Sequence, residues 1–364
     1  MTDAPPGARD LPAGPRVGRR VTTQRQVSTG LWLAAATLGL SLVAGLLVAG
    51  AQPRAARAPA DRTPLDHLTQ DEADMPAAPL RVHEWGVWRL RAGQVDHLAE
   101  LARENPPFVH RANRAAAPAL TPRPRFDPQL VADKPVVFVY ADTEMDVDLM
   151  VEFASGGEPW FYYPTATAGI TDPPARRTVR WQARASLPSA APRTPLASVQ
   201  PGHFWNALRA VGASPLCPTG STESERFLFY DGPTTFPRVV DVVASGNGAR
   251  VRRAMRDAQG EQVWVVDAAG FVRADVPQSA QRAAGNRGTV QQLERQLRAA
   301  LVARGLSDAE ATALLDTWRG DLFRRAERRA IWFLPRRAYD AMLPITVYPP
   351  PLEIVRVGVV IQML

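Results

Sequence analysis

The chain has 364 residues, with 43 basic and 36 acidic side chains, a net charge of +7 and a single cysteine. All the basic residues but Lys134 are arginines, dispersed among the acids rather than gathered into a stripe with interleaved aromatics, so the composition points to no nucleic-acid partner. The lone Cys217 excludes an intrachain disulfide, and His67, His83, His97, His110 and His203 are too scattered for a zinc site; no cofactor is evident.

Residues 1–29 are rich in Pro, Gly and Arg and are expected to form a disordered cytoplasmic tail. Gly30 to Gly50, GLWLAAATLGLSLVAGLLVAG, carries no charge. As a helix it is long enough for the roughly 30 Å hydrocarbon core of a bilayer, and a transmembrane helix is expected over 30–51, with the lipid bilayer as partner of residues 30–50. Arginines flank it almost equally: Arg16, Arg19, Arg20 and Arg25 before it, Arg54, Arg57 and Arg62 after. A short basic tail ahead of a long translocated domain sets the orientation, N-terminus cytoplasmic. Ala49 and Ala51 are small enough for signal peptidase to cut after Ala51, but the long tail and long apolar run favour an uncleaved signal anchor.

Residues 52–79 are rich in Pro and Ala and read as a stalk. A β-rich extracytoplasmic domain is expected over 80–364. It opens with the extended run Leu80–Leu90. Pro135–Tyr140 and Val147–Phe153 read as two strands of a hairpin, continued by Trp160–Tyr163. Thr178–Ala185 alternates, placing Val179, Trp181, Ala183 and Ala185 on one face. Segments at 227–230, 239–244, 250–255, 262–267 and 271–276, separated by compact turns, read as a meander. Helices are expected near 289–304 and 307–329, the second opened by the capping box Ser307–Glu310. Strands at 331–334, 345–348 and 354–361 close the chain. The fold class is therefore mainly β or α+β: an antiparallel, β-sandwich-like domain with a late two-helix insertion, preceded by one transmembrane helix. Regular strand–helix alternation, the mark of Rossmann and TIM-barrel folds, is absent from the pattern.

His83 and Glu84 are the candidate catalytic residues. As neighbours in a strand they point to opposite faces, so each needs distant partners to act as metal ligand or acid/base. The structural reading makes His83 a hydrogen-bonded framework residue and Glu84 the partner of an arginine. Asp142, Glu144, Asp146 and Asp148 are weak metal candidates, since period two would align four carboxylates for a hard cation; a solvated edge is the plainer reading. Trp85, Trp88 and Trp160 are candidate ligand-binding residues, a stacking platform for sugars if exposed and core if not. A Cys217/His203 nucleophile needs the fold to bring the two together. Arg324, Arg325, Arg328 and Arg329 are expected to end the second helix, complementing its dipole or lying against anionic headgroups or an acidic envelope polymer.

From His83-Glu84-Trp85-Gly86 onward the chain resembles an uncharacterised family of exported bacterial proteins with an HEWG signature, usually HEWGTF. Pro135–Tyr140, Trp160–Pro164, Phe227–Gly232, Leu334–Arg336, Leu343–Ile345 and Val355–Val357 are similar to further family segments in the same order. Val87-Trp88 replaces the usual Thr-Phe, and Asp231 stands where Arg is usual. The resemblance implies an exported domain of one piece and brings no catalytic residues. These features together predict a membrane-anchored binding or scaffolding domain of the cell envelope, with an envelope polymer or protein as partner. The alternative is an envelope hydrolase, metal-assisted or not, using His83 and Glu84.

Overall fold

The computed structural model describes residues 77–90, 104–112, 130–154, 157–171, 176–234, 237–246, 248–258 and 260–364. The expected tail and transmembrane helix, and all but the end of the stalk, lie outside the described residues. Among those described, no helix is long and apolar enough to cross a membrane.

The strands, in chain order, begin with β1 (Ala78–Leu90), β2 (His110–Arg111), β3 (Leu130–Ala141), β4 (Met145–Glu152), β5 (Phe161–Tyr163) and β6 (Thr167–Thr171). There follow β7 (Arg176–Ala185), β8 (Leu216–Pro218), β9 (Leu228–Thr234), β10 (Val240–Ser245), β11 (Gly248–Arg253) and β12 (Gln262–Asp267). The last are β13 (Gly270–Asp275), β14 (Gln281–Arg282), β15 (Arg329–Leu334), β16 (Ile345–Tyr348) and β17 (Pro351–Met363). The helices are α1 (Phe204–Arg209), α2 (Val290–Val302), α3 (Asp308–Thr317) and α4 (Arg336–Met342). Among the described residues strand accounts for 44% and helix for 19%, so the fold is mainly β, as the sequence predicts.

A nine-stranded sheet, ordered β13-β12-β15-β17-β1-β3-β9-β5-β2, forms the middle of the domain. Its pairings are antiparallel except at the centre, where β1 and β17 run parallel. Strand alternation sends successive side chains to two separate cores. One contains Leu80, Val82, Trp88, Val137 and Val139 of the large sheet. They pack with Val147, Leu149 and Trp181 of a second sheet (β16-β4-β7-β6) and Val242 and Val251 of a third (β10-β11-β14). The other contains Trp85, Val87, Val136 and Phe138, covered by Trp205 of α1, Leu293, Leu297 and Leu301 of α2, and Ala311, Leu314 and Leu315 of α3.

Four expectations need correction. β3 and β4 are not a hairpin: β3 pairs with β1 and β9 in the large sheet, whereas β4 lies between β16 and β7 in the second. The three-residue connection crosses between layers, and period two reports a strand's buried face without naming its partner. The meander likewise splits, into β9 and the β12–β13 hairpin in the large sheet and the β10–β11 hairpin in the third. Finally, α3 stops at Thr317 and a π-helical turn spans Gly320–Arg324, so the four arginines do not end one helix. Arg325 pairs with Asp321, while Arg329 starts β15, fully buried, and donates to the carbonyls of Leu322, Arg325 and Glu327. β1 begins at Ala78, so the last residues assigned to the stalk are already strand.

Candidate functional site

The HEWG segment lies in β1, at the centre of the large sheet, and the two faces of that strand divide it. Glu84 shares its face with Leu80, Val82 and Trp88; His83 shares the opposite one with Trp85 and Val87. The candidate catalytic pair is thus two sites, one in each layer.

Glu84 is completely buried. The parallel register sets Arg356 of β17 directly beside it, and the two form an ion pair with both side chains excluded from solvent. The Tyr230 hydroxyl of β9 donates to the other carboxyl oxygen. Arg356 also lies over the Tyr339 ring, 4.2 Å from its centroid, and donates to Asp340 Oδ1 at 2.7 Å. Asp340 in turn accepts from Arg336 Nε at 2.8 Å. Burial and the Glu84 charge push both the Tyr230 and Tyr339 phenols well above their ordinary pKa. Burial alone would lower the pKa of Arg356, but the charge and hydrogen bond of Glu84, together with the Tyr339 and Tyr230 phenols, outweigh it and raise the pKa, so the guanidinium is held charged. Around Glu84 the network is closed to solvent, although Arg356 Nη2 and Tyr339 Oη make no hydrogen bond; it can fix the strands against α4 but offers no exposed carboxylate to a substrate. A Cβ on Gly86 would sit 3.3 Å from Pro135 and from the Tyr339 hydroxyl, leaving little room for a side chain there.

His83 is 12% exposed and meets the amino end of α3. Its Nδ1 lies 3.0 and 3.1 Å from the two oxygens of Glu310, whose side chain has no exposure. Glu310 also accepts from Tyr140 Oη at 2.9 Å and from the Ser307 backbone N–H at 2.6 Å. The last bond belongs to the capping box, with Ser307 Oγ accepting the Glu310 N–H at 3.2 Å. The Tyr140 ring stands edge-on to the imidazole at 5.2 Å, and burial followed by the Glu310 charge raises its pKa. His83 Nε2 forms no hydrogen bond and faces Glu353 Oε2 at 3.9 Å. Among the described residues, the imidazole's hydrogen bonds run to Glu310 alone, with no serine, threonine or cysteine side chain set against it. His83 is thus hydrogen-bonded to a buried carboxylate, and Glu84 is the partner of a buried arginine.

Trp85 and Trp88 are fully buried, so neither ring offers a face to a sugar. Trp88 stands edge-on to Tyr339 at 4.8 Å, and Trp85 packs against Phe138. Trp160 is partly exposed and donates to Glu158 Oε1 at 3.0 Å. The four acids are met by arginines instead of converging on one point. Asp142 pairs with Arg81 at 3.0 Å, Glu144 with Arg193 at 2.6 Å, Asp146 with Arg184 at 3.3 Å, and Asp148 with Arg180. The Arg193 hydrogen bond lowers the Glu144 pKa. No group of three or more His, Cys, Asp or Glu placed to hold a metal ion occurs among the described residues. His203 has both ring nitrogens engaged, Nδ1 capping the Trp205 N–H and Nε2 at the Glu104 carbonyl, while Cys217 Sγ lies near the Ser221 and Pro218 carbonyls.

The partners that sequence reasoning missed are Arg356, Tyr230 and Tyr339 for Glu84, and Glu310 for His83. Arg356 had a signal, as the one charge inside the apolar run IVRVGVVI. Comparison with protein-family models, with curated proteins and with solved structures finds no match to this chain.

Proposed function

We propose that the chain is a membrane-anchored, extracytoplasmic protein whose β-rich, sandwich-like domain binds or scaffolds a component of the cell envelope without catalysis. The observation that carries this reading is the division of His83 and Glu84 between opposite faces of β1, each engaged by interior partners. A catalytic pair would converge on a concave, accessible pocket. The uncharged run from Gly30 to Gly50 supports the anchor, and the HEWG resemblance supports export.

Fractionation and assay test it together. The full-length chain is expected in the membrane fraction, released by detergent, with its carboxy-terminal domain open to protease from outside. The purified protein is expected to show no hydrolysis of envelope substrates. Turnover abolished by His83→Ala in a folded protein overturns the reading in favour of the envelope hydrolase. That alternative draws what support it has from the His83–Glu310–Tyr140 group, and it would have to operate without Glu84.

A further inference from the structure

We propose that the end of the domain at which β1 begins rests on the surface of the bilayer, touching it through Leu187, Val302, Tyr348 and Leu352. The proposal rests on the reading of a membrane anchor and adds a second contact with the same lipid.

Five large apolar or aromatic side chains are exposed among the described residues: Leu187, Val243, Val302, Tyr348 and Leu352, the last at 59%. One alone would need no explanation, but four of them come to one end. Leu352 lies in β17 between Pro351, which stands opposite Ala78, and Glu353, which stands opposite Arg81. Tyr348 closes β16 two residues before Pro350, whose carbonyl accepts the Ala78 N–H at 2.7 Å. Leu187 follows Ser186, whose hydroxyl donates to Glu144 at 3.3 Å. Glu144 belongs to the connection from β3 to β4, which is tied to β1 where the Asp142 N–H donates to the Pro79 carbonyl at 3.0 Å. α3 runs along β1 from the His83–Glu310 contact to Trp318 beside Arg89, which brings the α2–α3 turn, and Val302 at the end of α2, toward the same end. Val243 is the exception: its neighbour Val242 is bonded to Gln362, which stands opposite Leu90 at the far end of β1.

What covers this end follows from where the chain enters it. The expected span ends at Gly50, and only residues 51–77 separate it from Ala78. A tether of that length holds its point of attachment beside the bilayer at an effective concentration on the order of millimolar, so a small contact area is enough. The run Pro349–Pro351 joins Tyr348 to Leu352, and a tyrosine among aliphatic neighbours suits the headgroup boundary, where the ring is dry and the hydroxyl wet. The charges around these side chains meet in pairs: Arg81 with Asp142, Arg193 with Glu144, Arg184 with Asp146, Arg180 with Asp148 and Arg298 with Asp308. Glu353 stands opposite Arg81 and 3.9 Å from His83. Compensated charge suits a zwitterionic lipid surface better than an acidic polymer, and the contact should hardly depend on salt.

The test uses the full chain in phosphatidylcholine vesicles. Cys217 is the sole cysteine, so in a Cys217→Ser background Leu187→Cys, Val302→Cys, Tyr348→Cys, Leu352→Cys and Val243→Cys each take one fluorophore. Labels at 187, 302, 348 and 352 are expected to be quenched by lipids that carry a nitroxide at the headgroup boundary, and the label at 243 is expected not to be. Adding Tyr348→Glu and Leu352→Glu to the Leu187→Cys protein is expected to abolish quenching at 187. Near-UV circular dichroism establishes that each variant is folded. No quenching at the four positions, equal quenching at 243, or quenching that appears only with anionic lipid overturns the proposal. A cross-link between two Leu352→Cys chains that shields the label from lipid assigns the surface to a second copy and overturns it too. Carbonate extraction separates the two levels: unquenched labels on a protein that stays in the membrane refute this contact alone, whereas release into the carbonate wash refutes the anchor beneath it.

Discussion

Arg356 and Glu84 form an ion pair across the only parallel junction of the large sheet, 272 residues apart in sequence and with no exposure on either side chain. Removing one member leaves the other charge stranded in the interior. Glu84→Gln or Arg356→Met alone is expected to cost about 3–5 kcal/mol, and the double variant less than the sum, because it removes both charges. Urea unfolding of the four proteins measures the coupling; strict additivity would show that the pair does not act as a unit.

His83 is expected to act through α3. Losing its bond to the buried Glu310 in a His83→Ala variant should cost about 1–3 kcal/mol and speed amide exchange over residues 307–317. His83→Gln, which retains a donor, should lose less. Faster exchange spread evenly over the domain would contradict a local role for the contact.

Alkaline titration should unfold the domain. Tyr140, Tyr163, Tyr230 and Tyr339 all have pKa values raised in the folded state, burial being the leading cause in each. A folded-state pKa above the unfolded value means that the contribution is whole below the unfolded value, about 10, and is lost as pH rises beyond it. Tyrosinate absorbance and circular dichroism should therefore change together above about pH 10. Full ionisation with the fold intact would contradict this.

Gly358 in β17 has no room for a side chain. A Cβ there would lie 2.8 Å from Trp88 and 2.9 Å from Leu334. Gly358→Ala is expected to cost about 1–3 kcal/mol by overpacking, read as a lowered melting temperature. An unchanged melting temperature would mean that the Trp88 and Leu334 side chains give way at little cost.

What the sequence made legible is what depends on neighbours along the chain. The alternation of Val179, Trp181, Ala183 and Ala185 in β7 is borne out by burial, as are the Leu293–Leu297–Leu301 stripe and the Ser307–Glu310 capping box. The opposite faces of His83 and Glu84 follow from the same local geometry. Partnership between distant segments was not legible. Nothing in PVVFVY or VDLMVEF distinguishes a hairpin from a crossing between layers, and nothing in HEWG names Arg356 or Glu310. Sequence also could not tell a tryptophan that packs from one that stacks on ligand, since burial of Trp85 and Trp88 depends on layers assembled from remote strands.

The parallel seam between β1 and β17 has a consequence for how the domain comes into being. The centre of its largest sheet joins β1 to β17, the first and the last of the described strands. Until residues 351–363 have been synthesised, β1 and β15 each keep an open hydrogen-bonding edge, and Glu84 waits in the interior for its cation. A nascent chain of this topology cannot close the middle of its largest sheet until β17 has been made.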